Sequence, residues 1–412
     1  MTLSPEAVRR AGNPTREEFS ERLLRGSVKK SYEPIVDIDW DAPLEPDKFF
    51  LPPKTVSLYG TPAWDAMTRE EQIELSRQEL VNTLSAGIWF ENILNQALLR
   101  DLMHADPTAR ATHYALTEMG DETRHMVMFG RTIEKVGAKP MRPKRFQRVI
   151  INGLPLVFKG PLLWVAALVG EEIFDSLQRQ MMDDPQLQPA VQRLMRIHVT
   201  EEARHIQFAR DGLRKHVGDM AWWQRLWVAN LHGVGGYFFR HLFSNPAQYR
   251  RVGLPGGASR DLARASAHRH DVQISGFAPL AAFLEEVGLM GPIARRMWRR
   301  SHFLPATPSA SPAPAAIPAP SDDAGDDAYD GPATLRVGGT DHAVRVRLMG
   351  HLDPTDGRYH WRGTVFEALP DDVLRTPRVT LAIGARISDA RLTEKTPWGT
   401  YSIVGEGAPP FA

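Results

Sequence analysis

Two short segments of the 412-residue chain carry histidine and glutamate at helical spacing. Residues 197–208 read IHVTEEARHIQF, which places His198, Glu202 and His205 at spacings of four and three. Residues i, i+4 and i+7 of an α-helix project from one side within about two turns. Because imidazole and carboxylate groups on one face are typical metal ligands, this segment predicts a metal-binding helix.

A second segment repeats this pattern. Residues 118–129 read EMGDETRHMVMF, in which Glu122-Thr-Arg-His125 matches Glu202-Ala-Arg-His205. Two Glu-x-x-His pairs on separate long helices make half of a carboxylate-bridged dinuclear metal site, and one glutamate from each of two other helices completes it. The sequence therefore predicts two metal ions held between four helices.

The two further glutamates are chosen by spacing. Glu91 lies in WFENIL, and VGEEIF contains both Glu171 and Glu172. Glu91 precedes Glu122 by 31 residues and Glu171 precedes Glu202 by 31, whereas Glu172 would give 30. We therefore expect a tandem repeat of helix pairs, with Glu171 as the ligand and Glu172 as the alternative.

Burial favours metal binding over a solvated helix face. The glutamates at 91 and 171 lie in apolar sequence that includes Trp89, Phe90 and Val169. Burying carboxylates there is costly unless a cation compensates their charge. The chain has no cysteine, so nitrogen and oxygen must hold the metal, and a mainly carboxylate ligand set suits iron or manganese.

One histidine and two arginines extend the pattern. His198 lies one turn before the second Glu-x-x-His pair, where it can supply a third imidazole, and Glu118 takes the same place in the first segment. Arg124 and Arg204 each precede a candidate ligand histidine. They either pair with the acids at 121 and 201 and orient the ligands, or form plain surface salt bridges.

The candidate ligands resemble those of a known family. Four carboxylates and three histidines follow the ligand order of the p-aminobenzoate N-oxygenase family of ferritin-like diiron enzymes: Glu91, Glu122, His125, Glu171, His198, Glu202 and His205. The resemblance covers roughly residues 60–245, and its mark is the first histidine of H-x-x-x-E-x-x-H. Ferritins, rubrerythrins, desaturases and ribonucleotide reductase small subunits usually lack that ligand.

The resemblance implies an activity but no substrate contact. It implies two iron ions per chain, with manganese as the alternative, and dioxygen as co-substrate for stepwise oxidation of an arylamine towards hydroxylamine and nitro product. A C–H hydroxylase or desaturase can use the same cluster, and an iron-storage or peroxide-scavenging protein remains an alternative. His198 argues against storage, because a storage site must release its iron.

The expected reaction needs an electron donor and an amine. No glycine-rich phosphate loop follows a predicted strand, so we expect no nicotinamide or flavin site and electrons from a separate reductase. No catalytic residue beyond the metal cluster is predicted. Bundles of this kind often pair, so a homodimer is a further expectation.

A proline- and alanine-rich stretch, residues 303–331, divides the chain. Helical periodicity precedes it and short alternating runs follow it. We predict an all-α ferritin-like helical bundle with a second, small, mostly-β C-terminal domain: an N-terminal extension at 1–60, the bundle at 61–302, the linker and the β domain at 332–412. The β domain resembles an uncharacterised actinobacterial domain often found beside oxygenases, and we expect an interaction module.

Charge and hydropathy limit the partners. A net charge of +1 lacks the electrostatic footprint of a nucleic-acid binder. The longest apolar run, at 161–170, is about half the length that crosses a bilayer. The N-terminal residues lack the apolar core of a signal peptide. We expect a cytoplasmic protein without nucleic-acid or membrane partners.

Overall fold

A computed structural model describes residues 15–29, 32–239, 245–305, 328–352, 359–370, 373–376 and 378–411. Most of the predicted linker and the first 14 residues lie outside these ranges. Along the described residues, thirteen α-helices precede six β-strands. No helix in these ranges is long and apolar enough to cross a membrane.

The helices are numbered along the chain. They are α1 (Arg16–Lys29), α2 (Pro34–Asp37), α3 (Pro62–Asp65), α4 (Arg69–Leu102), α5 (Arg110–Lys135), α6 (Arg145–Val157), α7 (Pro161–Gln178), α8 (Pro189–Val217), α9 (Trp222–Phe239), α10 (Pro246–Arg250), α11 (Gly256–Ala265), α12 (Ala267–Glu286) and α13 (Pro292–Arg300). Short 3-10 helices lie at Pro53–Thr55 and Val373–Arg375.

Local sequence sets the ends of the long helices. The Thr68 hydroxyl accepts a hydrogen bond from the Glu71 amide at 3.3 Å, and the Glu71 carboxylate accepts one from the Thr68 amide at 2.8 Å. This reciprocal cap starts α4. Pro189 opens α8, where its missing N–H removes no helical hydrogen bond, and basic residues 214–216 stabilise the negative end of that helix.

Two helix pairs form the centre of the helical domain. α4 packs against α5 and α7 against α8, and the pairs meet where α5 contacts α8 and α4 contacts α7. Gly170 permits the last contact, because a Cβ at this position would lie 1.6 Å from Cζ of Phe90 on α4. Four helices therefore turn one face each towards a common interior, and the predicted helical bundle is confirmed.

Part of the predicted N-terminal extension belongs to this domain. Ile38, Phe49 and Leu58 are buried in the same apolar cluster as Leu80 of α4 and Leu194 of α8. Residues 32–60 are thus an integral layer over the bundle rather than an appendage. Burial of their apolar side chains against helices distant in sequence explains the difference from the prediction.

The C-terminal residues form a closed antiparallel barrel. Its strands, in chain order, are β1 (Ala328–Val337), β2 (Thr340–Leu352), β3 (Tyr359–Val365), β4 (Val379–Ile383), β5 (Arg386–Lys395) and β6 (Tyr401–Glu406). They pair in the order β1-β2-β3-β6-β5-β4, which leaves no free sheet edge. The predicted small β domain is confirmed, although β1 begins at Ala328, inside the range predicted as linker.

The barrel has its own core and also touches the helical domain. Leu348, Trp361, Leu381 and Ile403 are fully buried in its interior. On the outside, α2 packs against β2 and β3. The barrel is therefore docked on the layer of residues 32–60.

Candidate metal centre

The four central helices bring all seven predicted ligands into one buried region. Glu91 lies on α4, Glu171 on α7, and the two Glu-x-x-His pairs on α5 and α8. Each of the seven side chains is at most 5% exposed. The equal spacings in the sequence thus correspond to one cluster at the middle of the bundle.

The cluster divides into three overlapping groups. Candidate ligand atoms within each group lie within 4.8 Å of one another, and the groups are Glu91 with His125, His198 and Glu202; Glu122 with Glu202 and His205; and Glu118 with Glu122 and Glu171. Glu202 belongs to the first two groups and Glu122 to the last two. Shared carboxylates of this kind suit two bridged metal ions.

Glu118 was not among the predicted ligands. Glu91 precedes it by 27 residues, as Glu171 precedes His198, so Glu118 is the counterpart of that histidine in the first repeat. The equal spacing of 27 residues in the two repeats is the sequence signal that identifies this position. Burial, with its neighbouring carboxylates, raises the pKa of Glu118 to about 8.

The adjacent glutamates of α7 have different surroundings. Glu171 faces the cluster, whereas Glu172 accepts a hydrogen bond from Nε of Arg210 at 2.9 Å. Arg210 in turn lies over the ring of Phe283, with its guanidinium carbon 4.6 Å from the ring centroid. Glu172 therefore belongs to an ion pair outside the metal cluster.

Unpaired buried atoms show that the cluster fits cations. Among the residues that the structure describes, both ring nitrogens of His198 and Oε2 of Glu91 and of Glu171 have no hydrogen-bond partner. Leaving such atoms buried and unpaired costs about 1–3 kcal/mol each, and more for charged groups. Hard divalent metal ions would satisfy them, and the mixed carboxylate and imidazole set fits iron or manganese.

The crowding also perturbs the pKa values of the cluster. Burial, and then repulsion from neighbouring carboxylates, raises the pKa of Glu91 and of Glu171 well above the usual range. Burial, and then the charge of His125, lowers the pKa of His198 to about 4. The neutral imidazole is the form that ligates a metal ion.

Two outer carboxylates orient the histidines of the Glu-x-x-His pairs. Oε2 of Glu201 lies 2.9 Å from Nε2 of His125, and Oδ2 of Asp121 lies 3.2 Å from Nε2 of His205. Each outer carboxylate thus reaches across to the histidine of the other helix. This leaves Nδ1 of both rings facing the cluster, 2.8 Å from oxygens of Glu122.

Arginines hold the outer carboxylates. Arg124 pairs with Asp121, and Nη2 of Arg204 lies 3.2 Å from Asp121 and 3.8 Å from Glu201. Burial acts to raise the pKa of Asp121, but the hydrogen bond with His205 and the charge of Arg204 hold it well below the usual range. Of the two interpretations of these arginines, the geometry favours ligand orientation.

Asp121→Asn tests this orientation. We expect affinity for one metal ion to fall about 10- to 100-fold, because the amide no longer accepts the His205 N–H as a charged partner. Competition between the protein and a chelator for iron(II) measures the change. Asp261→Asn, which alters an exposed ion pair with Arg260, is the matched control and should leave affinity unchanged; equal losses in both variants would contradict the role of Asp121.

The helical domain contains a cavity. It has a volume of about 170 Å³ and lies between α4, α7, α8 and α12. Ile173, Leu177, Met195 and Phe277 are among its apolar walls. Met195 lies three residues before His198, on the same side of α8. The polar lining residues include Lys54, Glu79, His268 and Arg269.

Sequence comparison identifies the family. Residues 13–288 match the profile of the family described as p-aminobenzoate N-oxygenase AurF. The chain belongs to this p-aminobenzoate N-oxygenase family. The resemblance inferred from the seven ligands is thereby confirmed, and the match extends beyond the residues that carried it. The family assignment makes the protein an oxidoreductase of the diiron class with a carboxylate and histidine centre.

The relatives of this N-oxygenase-family chain include proteins without assigned activity. An uncharacterized protein of Mycobacterium tuberculosis (strain CDC 1551 / Oshkosh) is 32% identical over 293 residues, covering 68% of this chain and 86% of the relative. Residues 326–412 match a domain of unknown function, DUF4873. An uncharacterized protein of Mycobacterium bovis (strain ATCC BAA-935 / AF2122/97) is 58% identical over 88 residues, covering 21% of this chain and 25% of the relative.

Comparison with solved structures finds similarity at lower sequence identity. A variant of R2-like ligand-binding oxidase with anaerobically reconstituted Mn/Fe cofactor aligns with a TM-score of 0.38 and 18% identity. The alignment covers 68% of this chain and 94% of the oxidase.

Proposed function

We propose that this protein is a non-haem diiron monooxygenase that oxygenates the nitrogen of an amine, with arylamines as the favoured class. The observation that carries the proposal is the group of Glu91, His125, His198 and Glu202, in which His198 adds a third imidazole to the centre. Membership in the p-aminobenzoate N-oxygenase family supports the same reaction.

The chain offers distinct ligands for two iron ions. Glu91, His125 and His198 would hold one ion, and Glu171 and His205 the other, with Glu122 and Glu202 shared between them. Two iron ions, when bound, supply the redox chemistry and the means to activate dioxygen. The protein contributes a buried site, two outer carboxylates that orient imidazoles, and apolar surroundings that exclude water. A separate reductase would supply the electrons.

The cavity lined by Ile173, Met195 and Phe277 is the proposed substrate site. Its apolar walls suit an aromatic ring, and most ligand pockets are apolar with a few polar groups that fix orientation. Its polar lining includes Lys54, His268 and Arg269 together with the acid Glu79. An arylamine with a further polar group on the ring would match both features.

Leu177→Trp tests this assignment by filling part of the cavity. We expect KM for an arylamine to rise about tenfold or more, equivalent to roughly 1.4 kcal/mol of binding, while iron content stays unchanged. Steady-state product formation measures KM, and metal analysis measures iron. The volume-conserving Leu177→Met should behave as the unaltered protein. An unchanged KM in the tryptophan variant would remove the cavity from the substrate path.

Labelled dioxygen tests the reaction itself. The reduced, iron-loaded protein is mixed with ¹⁸O-labelled dioxygen and a panel of arylamines, and products are analysed by mass spectrometry. We expect label on nitrogen in hydroxylamine or nitro products. Label on carbon alone would favour a C–H hydroxylase, and iron loading far beyond two ions per chain without any labelled product would favour storage.

A further inference from the structure

A buried cluster of charges joins the barrel to the bundle. Arg193 of α8 donates from Nε to the Asp37 carbonyl at 2.8 Å, and its Nη2 lies 3.2 Å from the Asp37 carboxylate. Arg362 of β3 donates to the same carboxylate, and Arg193 pairs with Glu394 of β5 at 2.7 Å. Arg193, Asp37 and Arg362 are each at most 5% exposed. Asp37 is therefore held from both domains at once.

The same arginines also hold Tyr32. The guanidinium carbons of Arg193 and Arg362 lie 5.3 and 5.4 Å from the centroid of its ring, at cation–π distance. Between these anchors, the hydroxyl of Thr364 on β3 donates to the Val36 carbonyl at 3.1 Å. The barrel therefore contacts the segment 32–37 at its beginning and at its end.

This segment reaches the metal cluster through one amide. The backbone N–H of Tyr32 donates to Oε1 of Glu201 at 3.0 Å, and Oε2 of Glu201 lies 2.9 Å from Nε2 of His125. All three residues are buried. A continuous line of contacts thus runs from Arg362 of the barrel through Tyr32 and Glu201 to a candidate metal ligand.

Among the described residues, the outer carboxylate of the other half, Asp121, receives no hydrogen bond from the segment 32–37. Asp121 is held by Arg124 and Arg204, which both lie on the bundle helices, and the segment 32–37 reaches this carboxylate only indirectly, through the charge of Glu33 near Arg124. Arg204 also approaches Glu201, but at 3.8 Å. The two outer carboxylates are therefore anchored differently, although the helices that carry them repeat.

We infer that the β barrel positions one half of the metal centre, through Arg362, the segment 32–37 and the Tyr32 amide that orients Glu201 and His125. This inference rests on the proposed metal centre. Arg362 and Tyr32 are positioning residues, since neither touches the cluster. Outer partners of ligand histidines typically contribute 10- to 100-fold to metal affinity, which sets the scale of the effect.

Metal titration of full-length variants tests the inference. Cobalt(II) is titrated into metal-free protein, and its absorption bands report the number, affinity and ligand field of the bound ions. For Arg362→Met we expect affinity for one ion to fall about tenfold or more, with the other ion unaffected. Arg362→Lys, which keeps the charge, should recover part of the loss, and Glu201→Gln should reproduce the selective loss.

Arg336→Met is the matched control. It removes an exposed ion pair with Asp341 within the barrel and should leave both affinities unchanged. Equal weakening of both ions by Arg362→Met, or no change in a folded variant, would overturn the inference. If Arg362→Met does not fold, Thr364→Val removes only the hydrogen bond to Val36, and a smaller loss confined to the same ion is expected; unchanged binding would again contradict it.

Hydrogen exchange separates this inference from the proposed function. In the metal-free protein, the Tyr32 amide should exchange slowly because Glu201 accepts its hydrogen bond, and Arg362→Met should accelerate that exchange about tenfold. Unchanged exchange would contradict the role of the barrel. Failure of the unaltered protein to bind any metal would refute the proposed centre, while this exchange would still report whether the barrel restrains the segment.

Discussion

Replacing Glu202 with alanine is expected to lower the iron content from about two ions per chain to below about one. Glu202 belongs to two of the three ligand groups. Its loss therefore removes a ligand from both proposed metal positions. Iron is measured by elemental analysis after anaerobic loading and gel filtration.

The fold should survive this substitution. In the metal-free protein, the Glu202 carboxylate lies 3.3 Å from Nδ1 of His125 and of His205, and despite burial the charges of the neighbouring histidines hold its pKa well below the usual range. We expect metal-free Glu202→Ala to fold and to melt below the metal-free unaltered protein, because the substitution removes this pairing. Glu286→Ala, which alters an exposed pair with Arg214, is the control. Full iron loading of the Glu202 variant would contradict its shared position.

The neighbouring glutamates of α7 should respond in opposite ways. Glu171→Ala is expected to lose about one of two iron ions, because Glu171 faces the cluster. Glu172→Ala should keep both ions and instead lose about 1–3 kcal/mol of stability, because Arg210 is left without its carboxylate partner. Iron analysis and denaturant unfolding of the two variants measure these effects. Iron loss in Glu172→Ala with full loading of Glu171→Ala would reverse the assignment.

The cluster could be predicted because its signals are local. Helical spacing aligns His198, Glu202 and His205 within one segment, and the interval of 31 residues selects Glu171 without any knowledge of the fold. Glu118 was noticed as the counterpart of His198 but not assigned. A glutamate one turn before another acid fits a solvated helix face equally well, and only its burial against Glu171 decides.

The contacts of the barrel could not be predicted from the sequence. Arg193 and Arg362 are charged residues, which are almost never fully buried unless paired. Their partner Asp37 lies 156 residues from Arg193 and 325 from Arg362. Nothing local in RLMR or HWRG indicates such a pairing. For the same reason residues 32–60, which lack helical periodicity, were predicted as an extension although they belong to the core.

Diffraction from crystals grown with iron(II) under anaerobic conditions tests the dinuclear centre most directly. Anomalous difference maps recorded on either side of the iron edge locate iron independently of the protein coordinates. We predict two peaks per chain, one bonded to Glu91, His125 and His198 and the other to Glu171 and His205, with Glu122 and Glu202 between them. A single peak would contradict the account. So would the absence of His198 from the ligands of the iron ion bonded to Glu91 and His125.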